Sequence, residues 1–216
     1  MSKQKNFISA IILLLSFIIW TVAVSVIDVK TIGPLESAVG FATINQFVHN
    51  LTGVNFKLYN ITDWLGLVPF AVCFGFGMFG FIKLIKRKSI LKVDYDILVL
   101  GLFYIVVIAG YLLFENMVIN YRPVLINGVL EASYPSSTTM LTMCVMPTLV
   151  MRFNKRIKNK TAKNIVVFVS VIFALFMVVG RILSGVHWIS DIIGGALLSA
   201  GLVMLYSAVV EMEFKL

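Results

Sequence analysis

The sequence predicts an all-α integral membrane protein: a six-span transmembrane helical bundle with one amphipathic interfacial helix on its outer side. Of its 216 residues, 60% are apolar and only 13% are charged. Soluble domains average about 25% charged residues, so this composition excludes an ordinary soluble fold. The apolar residues also form long runs, and a helix needs roughly 20 such residues to cross the hydrocarbon core of a bilayer.

Six runs qualify as spans, of which the fourth is the shortest. They cover about residues 7–27, 66–86, 96–118, 138–152, 164–182 and 190–210. No low-complexity tract or clear internal repeat divides the chain. Residues 1–216 are therefore predicted to form one membrane domain.

The charged residues predict the orientation of this domain. The net charge is +8, and with six spans starting inside, 14 of the 18 Lys and Arg residues fall on the inner side. The outer side keeps only Lys30, Lys57, Arg122 and Arg181. This positive-inside bias predicts a multi-pass protein with both termini in the cytoplasm, and the short connections suit a bacterial plasma membrane. Because topology explains the basicity, no nucleic-acid partner is predicted.

The longest outer connection, about residues 29–65, contains a helical pattern. Apolar residues recur at steps of three and four, at Phe41, Ile44, Val48 and Leu51. The opposite face would carry Asn45, His49 and Thr52. This pattern predicts an amphipathic helix lying on the outer membrane surface.

A histidine and a carboxylate stand four residues apart at the start of the last span. His187 and Asp191 therefore share one helix face. The carboxylate can fix the tautomer of the imidazole and leave its other nitrogen basic. With Arg181 as a clamp for phosphate oxygens, the set favours phosphoryl transfer through a phosphohistidine. The alternative is a helix-capping aspartate beside an interfacial histidine, with Arg122 and Arg181 snorkelling toward lipid phosphates.

The stretch Tyr-Pro-Ser-Ser-Thr-Thr at 134–139 opens the fourth span on the same outer side. Ser136 or Ser137 can cap the helix, and the free backbone N–H groups of its first turn can hold an anion. Neither His49 nor His187 belongs to a ligand cluster, and both lie outside the spans. No metal and no cofactor is therefore predicted.

These motifs resemble the type 2 phosphatidic acid phosphatases, also called lipid phosphate phosphatases. That family's pattern is Lys, six residues, Arg-Pro; then Pro-Ser-Gly-His; then Ser-Arg, five residues, His, three residues, Asp. Here the parts read Glu115 to Arg122-Pro123, Pro135-Ser136-Ser137-Thr138, and Gly180-Arg181 to His187 and Asp191. The motif core covers about residues 115–195, and its third part is the most specific.

The resemblance implies a metal-independent membrane phosphatase or phosphotransferase with its active site on the outer face. His187 would be the nucleophile, supported by Asp191. Arg122, Ser136, Ser137, Thr138 and Arg181 would hold the phosphate. The implied substrate is a phospholipid phosphate or an isoprenoid diphosphate, such as undecaprenyl diphosphate. The surrounding membrane lipids are the other implied partners.

Four positions depart from the pattern: Glu115, Ser137, Thr138 and Gly180 replace Lys, Gly, His and Ser. The family's histidine at the place of Thr138 is expected to protonate the leaving oxygen, which threonine cannot do. The loss favours a diphosphate, because a phosphate leaving group has a second pKa of about 6 and departs with little need of a proton. Glu115 could replace the acid, or be ionised and paired with Arg122; His49 could do so only by folding over the site.

The departures leave a second hypothesis open. A catalytically weak or inactive chain could bind lipid phosphates, or serve a transport-related role, with the same arginine clamp. The pairing of His187 with Asp191 favours the enzyme, since binding alone does not require a nucleophile with an orienting carboxylate.

Overall fold

The computed structural model describes residues 3–89 and 93–211. Of the basic residues assigned to the inner side, Lys92 and Lys215 lie outside the described residues. So do residues 1 and 2 and 212–216 of the predicted domain.

The described residues form α-helices joined by irregular loops, and no strand occurs among them. The helices are α1 (Lys3–Val26), α2 (Ala42–Thr52), α3 (Phe56–Leu65), α4 (Leu67–Arg87), α5 (Tyr95–Asn116), α6 (Ser137–Arg156), α7 (Lys160–Ser184) and α8 (Ile189–Val210). A short 3-10 helix covers Pro34–Glu36. The all-α prediction is confirmed.

Within the described residues, five segments are long and apolar enough to cross a membrane: Gln4–Val26, Phe56–Arg87, Tyr95–Asn116, Lys160–Leu183 and Ile189–Val210. The second joins α3 and α4, which meet at the helical Gly66. These segments show that the chain is a multi-pass membrane protein. Helix α6 is not among them, so the prediction of six spans is not confirmed.

Helix α6 differs from the spans because it packs inside the protein. Thr139, Thr142, Thr148 and Arg152 are all buried along it, and α6 packs against α4, α5, α7 and α8. A helix enclosed by other helices can carry hydroxyl groups that a lipid-facing helix could not. Outward-facing side chains of the other helices are apolar instead: Phe74 is 71% exposed and Phe168 is 66% exposed.

Helices α1 and α8 pack against each other extensively. At Gly201 of α8, an added Cβ would lie 2.8 Å from Leu14 Cγ and 3.2 Å from the Leu14 backbone nitrogen of α1. Small residues allow such close approach, which stabilises membrane helix pairs through van der Waals contact. Asp191 of the site lies on the same helix α8. The contact between α1 and α8 at Gly201 therefore helps to hold the helix that carries Asp191.

Replacing Gly201 with valine should destabilise the bundle by about 1–3 kcal/mol, the usual cost of overpacking. Thermal unfolding in detergent measures this. Gly101→Val is the matched control, because a Cβ at Gly101 of α5 has no atom within 4 Å. Equal melting temperatures for the two variants would contradict the close α1–α8 contact.

Candidate active site

The predicted site residues converge at one end of the bundle, which we call the site end. It contains the beginnings of α6 and α8, the ends of α5 and α7, and the helices α2 and α3. Its cleft is lined by residues that include Tyr111, Glu115, Arg122, Ser137 and His187. The opposite end carries Lys83 and Arg87 of α4, which pair with Asp94, and Arg152 of α6, which pairs with Asp96.

His187 lies in the short turn between α7 and α8. Gly185 begins this turn with a φ of +64°, and an added Cβ there would lie 1.8 Å from the Gly53 carbonyl oxygen. Only glycine fits both the left-handed backbone and the space. The turn buries the His187 ring, which is 5% exposed.

Contacts of the two ring nitrogens define the tautomer of His187. Nε2 lies 3.1 Å from Nη1 of Arg122. A guanidinium can only donate, so Nε2 accepts and the ring proton of the neutral imidazole sits on Nδ1. Nδ1 lies 3.8 Å from Oδ2 of Asp191, which is a close electrostatic contact rather than a hydrogen bond. The basic nitrogen therefore faces the arginine and the cleft.

Burial lowers the pKa of His187 well below its ordinary value, and the positive charges of Arg122 and Arg181 lower it further. The Ser133 backbone acts in the opposite direction. The imidazole is thus neutral at pH 7, the form in which Nε2 carries a lone pair.

Asp191 is fully buried near the start of α8. Its Oδ2 accepts from the Trp188 backbone N–H at 3.0 Å, and its Oδ1 accepts from Asn120 Nδ2 at 3.2 Å. Its carbonyl oxygen accepts from the Ser136 N–H at 3.0 Å, which ties α8 to the start of α6. Such contacts hold the carboxylate beside His187 in a fixed position.

Arg122 lies in a hairpin that the sequence analysis did not predict. Ile126 and Val129 exchange backbone hydrogen bonds around Asn127 and Gly128, which both have positive φ. Asn-Gly is a strong signal for such a turn, so the hairpin could have been found from the sequence. On it, Arg122 Nε lies 3.0 Å from Oε2 of Glu131.

Arg181 ends α7 as a buried cation, 1% exposed. Its Nη2 donates to Oδ1 of Asp63 at 2.9 Å and to Oγ1 of Thr138 at 2.6 Å. Among the residues that the structure describes, no group accepts a hydrogen bond from its Nε or Nη1. A buried guanidinium with two spare donors is suited to binding an anion.

The start of α6 supplies the other predicted contacts. Ser136 occupies the N-cap position, but its side chain does not cap the helix; Oγ donates to Oγ1 of Thr139 at 3.0 Å. Ser137 lines the cleft and Thr138 contacts Arg181. The first backbone N–H groups of a helix have no intrahelical acceptor, so they remain donors for an anion.

The two candidate acids lie differently. Glu115 lines the cleft but its side chain is exposed, so the partial burial that would favour an acid role is not found. His49 is half-buried, and its ring packs against Trp188 with centroids 5.5 Å apart. Helix α2 thus folds over the turn next to His187, although His49 does not line the cleft.

Several residues of the site were missed by the sequence analysis: Tyr59, Asp63, Asn120 and Glu131. Asn120 stands two residues before Arg122. Its position next to this motif residue was the signal that could have identified it. Tyr59 and Asp63 lie in a different part of the chain and had no local signal. Across the described residues, no group of three or more His, Cys, Asp or Glu is placed to hold a metal ion.

The fold and the cleft define a multi-pass membrane helical bundle with a buried histidine and two arginines at one end. The PAP2 superfamily model matches residues 114–215, which contain all three motifs, so this region belongs to the PAP2 superfamily. The resemblance to the type 2 phosphatidic acid phosphatases is confirmed at the level of the superfamily.

A solved structure shares the fold over nearly the whole chain. It is described as the crystal structure of the first transmembrane PAP2 type phosphatidylglycerolphosphate phosphatase from Bacillus subtilis. The two chains are 19% identical, with a TM-score of 0.58, and the match covers 94% of this chain and 96% of that one. No curated protein matches this sequence significantly.

The buried histidine predicts that stability depends on pH. Below pH 6.5 the unfolded chain binds a proton at His187, whereas the folded chain does not, because its pKa is lowered. The free energy of unfolding should therefore fall as the pH falls below 6.5, by up to about 1.4 kcal/mol per pH unit from this group. Thermal unfolding of the wild type and of His187→Gln, measured from pH 8 to pH 5, checks this.

His49 is the control for this measurement, since partial burial lowers its pKa too. His49→Gln should remove a smaller part of the pH dependence than His187→Gln. An unchanged pH dependence in His187→Gln would show that the imidazole is protonated in the folded protein.

Proposed function

We propose that the chain is a membrane lipid phosphatase or phosphotransferase that cleaves a lipid phosphate or isoprenoid diphosphate through a phosphohistidine intermediate. The observation that carries this proposal is the contact of His187 Nε2 with Arg122, 3.1 Å away, in a cleft that Glu115 and Ser137 also line. A basic nitrogen there faces the group that would hold the phosphate.

The proposed reaction has two steps. The Nε2 lone pair of His187 attacks phosphorus, an N–P bond forms, and the P–O bond to the leaving group breaks with its electrons going to oxygen. Water then attacks phosphorus, the N–P bond breaks, its electron pair returns to Nε2, and the two protons of the water leave with the phosphate product. In a phosphotransferase, an acceptor hydroxyl takes the place of water. Asp191 stabilises the positive ring in the first step through Nδ1–H.

Charge on the phosphoryl oxygens would be stabilised by Arg122, Arg181 and the first-turn amides of α6. The spare donors of Arg181 lie in a buried position, where electrostatic stabilisation is stronger than in water. To reach phosphate, Arg122 must exchange its contact with His187 Nε2 for phosphoryl oxygens. This exchange also frees Nε2 for attack.

The leaving group favours a diphosphate. Thr138 occupies the position of the family's histidine and accepts a hydrogen bond from Arg181, so its hydroxyl offers no proton of suitable acidity. A positioned general acid contributes about 10²- to 10⁴-fold, and this factor is lost for a basic alkoxide leaving group. A phosphate leaving group loses little. Glu115, at the edge of the cleft, remains the predicted alternative acid.

The proposed site faces outward from a bacterial plasma membrane, with both termini in the cytoplasm. The cluster of basic side chains at the opposite end of the bundle supports this orientation. Helix α6 would be the sixth crossing, shielded from lipid by its neighbours. Helix α2 would lie in the interface: Asn45 packs inward against Ser190, while Phe47 and Leu51 are 58% and 71% exposed.

Hydrolysis of polyprenyl diphosphate by the purified protein in detergent tests the proposal. His187→Ala should abolish phosphate release, because no other group supplies the nucleophile. Quenching in alkaline detergent during turnover of labelled substrate should trap protein-bound label that is stable to base and labile to acid, as expected of a phosphohistidine. A phosphatidate and a lysophospholipid phosphate should be hydrolysed more slowly, since their leaving groups need a proton.

Asp191→Asn serves as the graded control, since it keeps the shape of the buried side chain while removing its charge and one of its two acceptor oxygens. Turnover should fall without loss of the fold. Unchanged lipid-phosphate binding with no release from any of the three substrates would instead support the lipid-binding hypothesis.

Restoring the missing histidine should change the substrate preference. Thr138→His should raise turnover of phosphate monoesters by about 10- to 10³-fold, and that of diphosphates much less, because only the monoesters need a proton donor. Thr138→Asn is the control for loss of the threonine contact. Equal gains on both substrate classes would contradict the leaving-group argument.

A further inference from the structure

Helix α3 lies directly over the two arginines of the site, although it is outside the region that matches the superfamily. Tyr59 and Asp63 stand four residues apart on α3, so they share one helix face. Both side chains reach Arg181. Arg181 is therefore contacted by a helix that contains none of the three motifs.

Gly180 explains how α3 comes so close to α7. An added Cβ at residue 180 would lie 2.7 Å from Cγ2 of Thr62, which is fully buried between the two helices. The family pattern has serine at this position. The Asn55 backbone N–H at the start of α3 also donates to the Ser184 carbonyl at 3.0 Å.

The ring of Tyr59 lies near both guanidinium groups. Its centroid is 4.9 Å from Cζ of Arg181 and 5.9 Å from Cζ of Arg122. A cation within about 6 Å of an aromatic face is attracted to it. One ring thus holds together two like charges that would otherwise repel each other.

Asp63 directs the Arg181 side chain. Its Oδ1 accepts a hydrogen bond from Nη2 of Arg181, the same nitrogen that donates to Thr138. The Nε and Nη1 groups of Arg181 therefore keep their N–H donors for another acceptor. A phosphoryl group could therefore bind Arg181 without displacing Asp63. The carboxylate fixes one side of the guanidinium, while Nε and Nη1 on the other side are buried and have no hydrogen-bond acceptor among the described residues.

We propose that Tyr59 is a positioning residue that sets the spacing of Arg122 and Arg181 for one phosphoryl group, and that Gly180 is required to bring it there. This inference deepens the proposed function, on which it rests. Gly180, which replaces the serine of the family pattern, then allows α3 to pack close to α7. A serine at this position would push α3 away from the arginines.

Binding of orthovanadate, a phosphate analogue, tests Tyr59 independently of turnover. Tyr59→Ala should weaken vanadate binding about tenfold and raise KM for polyprenyl diphosphate by a similar factor, with a smaller change in kcat. Tyr59→Phe should behave like the wild type, because the ring face makes the contacts. Trp64→Ala is the matched control, since this aromatic side chain of α3 is 74% exposed.

A compensating pair tests Gly180. Gly180→Ser, which restores the family residue, should weaken vanadate binding to the level of Tyr59→Ala. Adding Thr62→Ala removes the Cγ2 methyl group that the new side chain would meet, and should recover most of the loss. Gly101→Ser is the matched control on α5, where an added Cβ meets no atom within 4 Å.

The outcomes separate this inference from the proposed function. Vanadate affinity unchanged in Tyr59→Ala, or equally weakened in Tyr59→Phe, overturns the role of the ring even if the wild type hydrolyses lipid. The expected binding pattern without any hydrolysis leaves the positioning role standing and overturns the catalytic proposal. A wild type that binds no vanadate overturns both. Full vanadate affinity in Gly180→Ser overturns the role of the glycine.

Discussion

The burial of Arg181 is the constraint on which the site end depends. A cation that is 1% exposed beside a membrane-spanning segment is costly unless other groups compensate it. Asp63 supplies a negative charge, Thr138 an acceptor and Tyr59 a ring face. Asp63 and Tyr59 come from α3 and Thr138 from the start of α6, so two separate segments pack around one guanidinium of α7.

The same positive charges act on the histidine. Arg122 and Arg181 both lower the pKa of His187, in addition to the effect of burial. A site that attracts an anion therefore also keeps its proposed nucleophile neutral. Once a phosphoryl group binds, its negative charge offsets these cations and favours the imidazolium, which is the form the ring approaches as the N–P bond develops. Asp191, 3.8 Å from Nδ1, acts in the same direction.

Much of the site follows from sequence patterns, and the reasons are local. The spacing of His187 and Asp191 correctly predicted that they lie close together, with Nδ1 3.8 Å from Oδ2. They do not share a helix face as expected, because α8 begins at Ile189 and His187 lies in the turn before it. The apolar runs of the spans identify the bundle. The fourth run was expected to be a span like the others, but α6 has buried threonines and is not apolar enough. Contacts that join distant segments were beyond reach: Asp63 meets Arg181 across 118 positions, and no periodicity marks such a pair.

The departures from the family pattern are best understood together. Thr138 lacks the proton donor of the family's histidine but provides an acceptor for Arg181. Gly180 lacks the hydroxyl of the family's serine but allows α3, with Tyr59 and Asp63, to pack close to α7. Both changes act on the same guanidinium. In the proposed reaction, catalysis shifts away from protonating the leaving oxygen and toward holding the phosphoryl group. That shift suits a leaving group stable as an anion, which is the physical reason for proposing a diphosphate rather than a monoester as the substrate.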